Sequence, residues 1–143
     1  MKLRIRKTHA DAVIPQYAHG PEEDAGMDLC SVSDALLEPN VPQAVPTGLS
    51  LELPAGYEAQ IRPRSGLALK FGISIPNSPG TIDPGYRGEL KVILINLGRQ
   101  PYQISKGDRI AQMIIARYEA VEIEEGELSA SVRGDGGFGS SGR

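Results

Sequence analysis

Short apolar runs, cut by glycine and proline every few positions, set the pattern of the chain. Leu3 and Ile5 alternate with Arg4 and Arg6, as a half-exposed strand would. Val13-Ile14-Pro15 reads as a short extended piece, and Ala25 to Ser31 as a strand with Asp28 among apolar neighbours. An isolated buried carboxylate is costly, so such an aspartate pairs, caps a turn or serves a site. Ser33 to Thr47, with Pro39, Pro42 and Pro46, reads as loop. Leu49 to Leu53 alternates cleanly, and Tyr57 to Ile61 resumes as another strand. Ser65 is placed to cap one helical turn, Gly66 to Lys70, the only helix the pattern allows. Leu90 to Leu97 is the most apolar run, consistent with burial on both faces or in a subunit interface. After a turn come Tyr102 to Ile104, a tight turn at Lys106-Gly107-Asp108, and a last core strand, Arg109 to Ala116. Within that strand Gln112 is either a satisfied core amide or a site ligand. Eight to twelve short strands and at most one short helix predict an all-β fold: a sandwich, jelly roll or small barrel.

Composition sharpens this picture. The 143 residues suit one domain, and 17 glycines with 11 prolines leave little room for long helices. A net charge of −3 and a pI near 5.4 give no footprint for duplex nucleic acid. No apolar run approaches a membrane span. The basic N-terminus has no apolar stretch behind it, which argues against a signal peptide. The single cysteine, Cys30, excludes an internal disulfide, suits a reducing compartment such as the cytoplasm, and reads as a small buried hydrophobe. His9 and His19 have no ligand-spaced partners, so a zinc site is not expected.

Three stretches carry candidate chemistry. In Asn77 to Gly88, Asp83-Pro84-Gly85-Tyr86 has the grammar of a type II turn, with Gly85 where φ is positive. Taken as a hairpin connection, the loop also holds a carboxylate at a rigid corner, a suitable place for a general base. Arg64-Ser65-Gly66 at a helix start reads equally as a cap with surface charge or as an anion site. The tail from Arg133 to Arg143 is too rich in glycine to pack a core and should be mobile alone. Gly134 and Gly139 have P-loop spacing, but the lysine and the following helix are missing, which excludes a Walker-type NTPase. Glycine-freed amides, with Arg133 as cation and Phe138 as stacking lid, could still wrap phosphates.

Together these stretches resemble the five ordered motifs of the homotrimeric dUTPases. The motifs are Ala25-Gly26-Met27-Asp28-Leu29, Pro63-Arg64-Ser65-Gly66-Leu67-Ala68, Asn77 through Gly88, Gly107-Asp108-Arg109-Ile110-Ala111-Gln112, and Arg133 through Gly142. The resemblance covers the chain from about residue 3 onward. It implies a distorted jelly-roll or β-barrel subunit (residues 1–125) with a glycine-rich mobile tail (residues 126–143), and a homotrimer whose sites are shared between subunits. It implies hydrolysis of dUTP to dUMP and pyrophosphate with Mg²⁺, which limits uracil in DNA and supplies dUMP for thymidylate synthesis. By matched position, Asp83 activates the water that attacks the α-phosphorus in line. Asn77 and the backbone of Gly80, Thr81 and Ile82 read uracil, Tyr86 packs on the deoxyribose, and Lys91 joins the substrate-binding set. Arg64, Ser65, Gly66 and Gln112 hold phosphates and water, and Asp28 contacts the metal through water. In the tail, Phe138 stacks on uracil while Arg133, Gly139, Ser140 and Ser141 meet the phosphates. The similar dCTP deaminases carry a catalytic glutamate at the position of Ile93, and isoleucine cannot shuttle protons. A nucleotide-sensing module is the other rival reading, and it predicts an insertion or a broken motif, neither of which is present.

Overall fold

The computed structural model of the chain describes residues 1–139. Its elements run in the order β1 (Arg4–Lys7), β2 (Met27–Cys30), β3 (Ala35–Leu37), β4 (Gln43–Pro46), β5 (Leu49–Glu52), β6 (Tyr57–Arg62), α1 (Ser65–Phe71), β7 (Ile73–Ser74), β8 (Gly80–Ile82), β9 (Lys91–Asn96), β10 (Tyr102–Ile104) and β11 (Arg109–Arg117). The strands form a four-stranded sheet β2-β11-β6-β8, a three-stranded sheet β4-β9-β7, and the pairs β1-β5 and β10-β3. This is the expected all-β architecture with one short helix. The sheets stay separate, so the barrel alternative gives way to a jelly-roll-like arrangement without closure.

The core follows from strand alternation. Leu29, Leu37, Val45, Leu49, Leu90, Val92, Leu94, Ile104, Ile110 and Met113 are all buried and join in one cluster. Truncating a well-packed leucine such as Leu94 to alanine costs about 2–5 kcal/mol. On β9 the inward side chains are Val92, Leu94 and Asn96, while Lys91 and Ile93 face outward. The chain therefore buries one face of this strand, not both, and Ile93 keeps 37% of its surface.

Asn96 and Thr47 find their partners within the fold. Asn96 donates from Nδ2 to Leu37 O (2.9 Å) and Gln100 O (2.7 Å) and accepts from Gly98 N (2.9 Å). Thr47 Oγ1 donates to Leu90 O at 2.6 Å. Among the described residues only the Ser50 hydroxyl is buried without a partner. Cys30 is a buried free thiol, as expected, and its pKa is raised first by burial and then by the nearby Asp28 charge.

Four local expectations change. The stretch 33–47 is not all loop: it contains β3 and β4. Its prolines spare the ladders, since Pro46 ends β4 on the edge of its sheet and Pro39 makes only an isolated bridge to Asn96. Val13 to Pro15 has no strand partner. Ser65 does not cap α1; it is the first helical residue, Arg64 is the N-cap, and no side chain caps that end. The segment after β7 is no simple hairpin, because it contributes β8 to the other sheet before returning as β9.

Candidate active site

One cleft of about 500 Å³ opens where β2, β11 and α1 meet, lined in part by Gly26, Asp28, Arg64, Ser65, Gly66 and Gln112. The sheet register assembles it. Gln112 on β11 lies opposite Asp28 on β2 and Arg62 on β6, so it sits between two strands and just behind the chain that leads into α1. Its Nε2 donates to Pro63 O at 3.0 Å, which tethers the side chain at the cleft. Gln112 is thus both a tethered amide and a cleft residue. Gly26 makes room for it, since a Cβ there would lie 2.7 Å from Gln112 Oε1.

The Asp28 carboxylate in this cleft is doubly paired. Arg64 Nε lies 3.2 Å from Asp28 Oδ1, and Arg109 Nη1 lies 3.2 Å from Asp28 Oδ2. The first amides of α1 have no intrahelical acceptors, no acidic residue occupies the first turn, and both features favour an anion there. On the facing wall His19 N donates to Asp24 Oδ2 at 2.6 Å, and His19 Nδ1 lies 3.2 Å from Asp24 Oδ1. The His19 backbone hydrogen bond, followed by its side chain, holds the Asp24 carboxyl below the usual aspartate value. Arg109, Lys70, His19 and Asp24 line the cleft but were not singled out as site residues from the sequence. Arg109 carried the only available signal, a cation three residues before Gln112 in one motif.

A second cleft of about 420 Å³ is lined by Ala44, Thr81, Ile82, Asp83, Tyr86, Glu89, Lys91 and Ile93. A small adjoining cavity adds Asn77 and Gly80 and shares Thr81, Ile82, Lys91 and Ile93. Its corner is held by backbone. Tyr86 N donates to Asp83 O at 3.1 Å, and Arg87 Nη1 donates to Pro84 O (2.6 Å) and Tyr86 O (3.0 Å). Gly85 is not among the residues with positive φ, so the turn is not type II, and Pro84 serves a turn that any residue could follow. Tyr86 donates its hydroxyl to Glu89 O at 3.0 Å and lies over Gly88, where a Cβ would collide with the ring. The Asp83 side chain is exposed and makes no hydrogen bond or ion pair among the described residues.

The two clefts share no lining residue. In the sheet order β2-β11-β6-β8 the Asp28 strand and the Thr81 strand are opposite edges. Three strand spacings separate them, about 14 Å. The described part of the tail, to residue 139, lines neither cleft. Its hydrogen bonds are local, such as Arg133 Nε to Gly136 O at 2.8 Å, and Phe138 is fully exposed at φ 48°. Ser140 and Ser141 lie outside the described residues. One chain therefore gathers Asp28, Arg64, Ser65, Gly66 and Gln112 in one place. It gathers Asn77, Gly80, Thr81, Ile82, Asp83, Tyr86 and Lys91 in another, and leaves Arg133, Phe138 and Gly139 apart from both.

No group of three or more His, Cys, Asp or Glu side chains that could cage a metal occurs among the described residues. The donor set still fits hydrated Mg²⁺. That ion takes most of its ligands from phosphate and water, and a carboxylate has about four lone-pair positions, of which the arginines use two on Asp28.

The dUTPase family model matches residues 12–142. The deoxyuridine 5'-triphosphate nucleotidohydrolase of Solibacter usitatus (strain Ellin6076) is 66% identical over 143 residues, covering 100% of this chain and 97% of that protein. The protein of the same name from Clostridium tetani (strain Massachusetts / E88) is 54% identical over 142 residues, covering 99% and 97%. Among solved structures, a Staphylococcus bacteriophage 80alpha dUTPase variant with dUpNHpp superposes with a TM-score of 0.87 at 29% identity, covering 99% of each chain. A dUTPase variant from phage phi11 of S. aureus, described with a structural Mg(II) ion, gives 0.83 at 26% identity, covering 92% of this chain and 100% of that one.

Proposed function

The chain belongs to the dUTPase family, and on that premise we propose that its two clefts and its tail are the separated parts of one shared active site. The enzyme hydrolyses dUTP to dUMP and pyrophosphate, and Mg²⁺ is its cofactor. The observation that carries the reading of a shared site is the division of labour within one chain: the arginines lie in one cleft and the uncommitted carboxylate in the other. A reacting phosphoryl group needs both within a few ångströms. A homotrimer that sets the Asp83 cleft of one copy against the Arg64 cleft of the next meets that requirement, and a symmetric assembly does so at every interface.

In that arrangement Asp83 takes the proton from the water that attacks the α-phosphorus in line. Arg64, the Ser65 and Gly66 amides and Gln112 neutralise and orient the phosphate chain and the water. Bound Mg²⁺ supplies charge neutralisation on the phosphate oxygens, and Asp28 would hold it through a water. Asn77 and the backbone of Gly80, Thr81 and Ile82 offer donors and acceptors to the uracil edge. They reject cytosine, whose 4-position reverses the donor and acceptor. The Tyr86 ring, held by its bond to Glu89 O, leaves no room for a 2'-hydroxyl. The tail, residues 126–143, closes over the nucleotide with Phe138 on the base and Arg133 on the phosphates, excluding water. Ile93 lines the Asp83 cleft and offers no acid or base for deamination. No helix among the described residues is long and apolar enough to cross a membrane. A free buried thiol supports a cytoplasmic setting.

The test is pyrophosphate release from dUTP, dCTP, UTP and dTTP with Mg²⁺, alongside ammonia release from dCTP. Fast release from dUTP alone is expected. Comparable release from dCTP or UTP would overturn the assigned base and sugar contacts, and ammonia from dCTP would overturn the reaction.

A further inference from the structure

Two arginines share one carboxylate in the anion cleft. Arg64 Nε and Arg109 Nη1 each lie 3.2 Å from a different oxygen of Asp28, and Arg64 Nη1 also donates to Arg109 O at 3.3 Å. The side chains of Arg64 and Arg109 keep 27% and 56% of their surfaces exposed, so neither guanidinium is sealed from an entering anion. Asp28 itself is fixed, because its strand is laddered to β11 with Gln112 directly opposite. Two oxygens that receive two guanidinium groups form the arrangement a phosphate would present.

We propose that Asp28 is a stand-in for phosphate. It holds Arg64 and Arg109 in their working orientation while the cleft is free, competes with an incoming pyrophosphate-class anion for them, and releases them when that anion binds. The inference rests on the reading of this cleft as the phosphate side of the site. It gives Asp28 a positioning role that contact with a metal-bound water does not contain. The two roles make different demands on metal-free anion binding. The trio Arg64, Arg109 and Asp28 has a net charge of +1, and Asp28→Asn makes it +2 with little change of shape. Neutralising any carboxylate beside the anion strengthens metal-free binding through charge alone. A competitor also hands over its guanidinium partners, so the Arg64 Nε–H environment changes as the anion displaces the carboxylate.

The experiment is calorimetric titration of pyrophosphate, with EDTA and no divalent metal, into the full chain, Asp28→Asn and Arg64→Gln. Wild type should bind, Arg64→Gln should bind about tenfold or more weakly, and Asp28→Asn should bind about threefold or more tightly, with the gain shrinking as salt is raised. Unchanged or weaker binding by Asp28→Asn overturns the proposal while leaving the cleft assignment standing. Equal binding by wild type and Arg64→Gln overturns the cleft assignment and the proposal with it. A second measurement needs no variant at Asp28: the Arg64 Nε–H resonance of the wild-type chain should move when pyrophosphate is added. An unmoved resonance at saturation also overturns the exchange.

Discussion

The Arg64 cleft and the Asp83 cleft are built on opposite principles. In the first, Asp28 is paired by Arg64 and Arg109, and Asp24 is hydrogen-bonded by His19. In the second, rigidity comes from backbone contacts to Pro84, Tyr86 and Glu89, and the key carboxylate is left without a partner. Clustered cations repel one another and need a counter-charge to stay oriented. A base must keep its lone pair free, so its position is set through the chain that carries it. A wall of paired charges and a corner of bare carboxylate are complementary, which is the basis of the shared site proposed above.

The largest effect should come from removing the base. Asp83→Asn is expected to lower kcat about 10²–10⁴-fold while the melting curve stays within about 0.5 kcal/mol of wild type, as for other exposed positions. Mixing Asp83→Asn with Arg64→Gln chains should restore activity, because roughly a quarter of randomly assembled shared sites would be intact. No recovery on mixing would break the comparison, since it would place both clefts' chemistry in one chain. Removing residues 133–143 should cost about a hundredfold in kcat/KM with an unchanged melting temperature, and a fully active truncation would show the tail to be a spacer. Gly26→Ala sharpens the anion side alone. The new methyl forces Gln112 Oε1 aside, and kcat should fall about tenfold with folding intact. Steady-state kinetics that match wild type would show that Gln112 takes no part.

The smallest effect is on stability against pH. The Asp24 carboxyl is depressed by its His19 partners, so its folded pKa lies below its unfolded value of 3.8. Its contribution is present above that value and is lost as pH falls through the folded one. The same sign holds for Asp11, whose pKa is lowered by Lys106. Asp24→Asn should therefore leave a slightly shallower fall in melting temperature below about pH 4. A steeper fall than wild type would reverse the assignment.

Much of this was legible in the chain itself. Alternation and proline spacing place β5, β6, β10 and β11 within a residue or two, and motif spacing names the Asp28, Arg64, Asp83 and Gln112 positions. Strands β3 and β4 were hidden because Pro39, Pro42 and Pro46 read as loop; the pairings with β10 and β9 show that the first two lie outside the strands and the third at a strand end on a sheet edge. Arg109 was hidden because a cation at the start of a core strand has no local meaning until Asp28 is brought opposite its sheet neighbour. The turn at Asp83 departs from type II because Pro-Gly permits positive φ without requiring it.

Local residue choice thus determined the all-β class, the short elements and the chemical groups available, since propensity and period act over a few neighbours. Which of those groups meet is a matter of long-range register. The sheet order put Asp28 and Gln112 side by side and sent Thr81 to the far edge. That separation, visible only in three dimensions, places the two groups of candidate residues in different clefts.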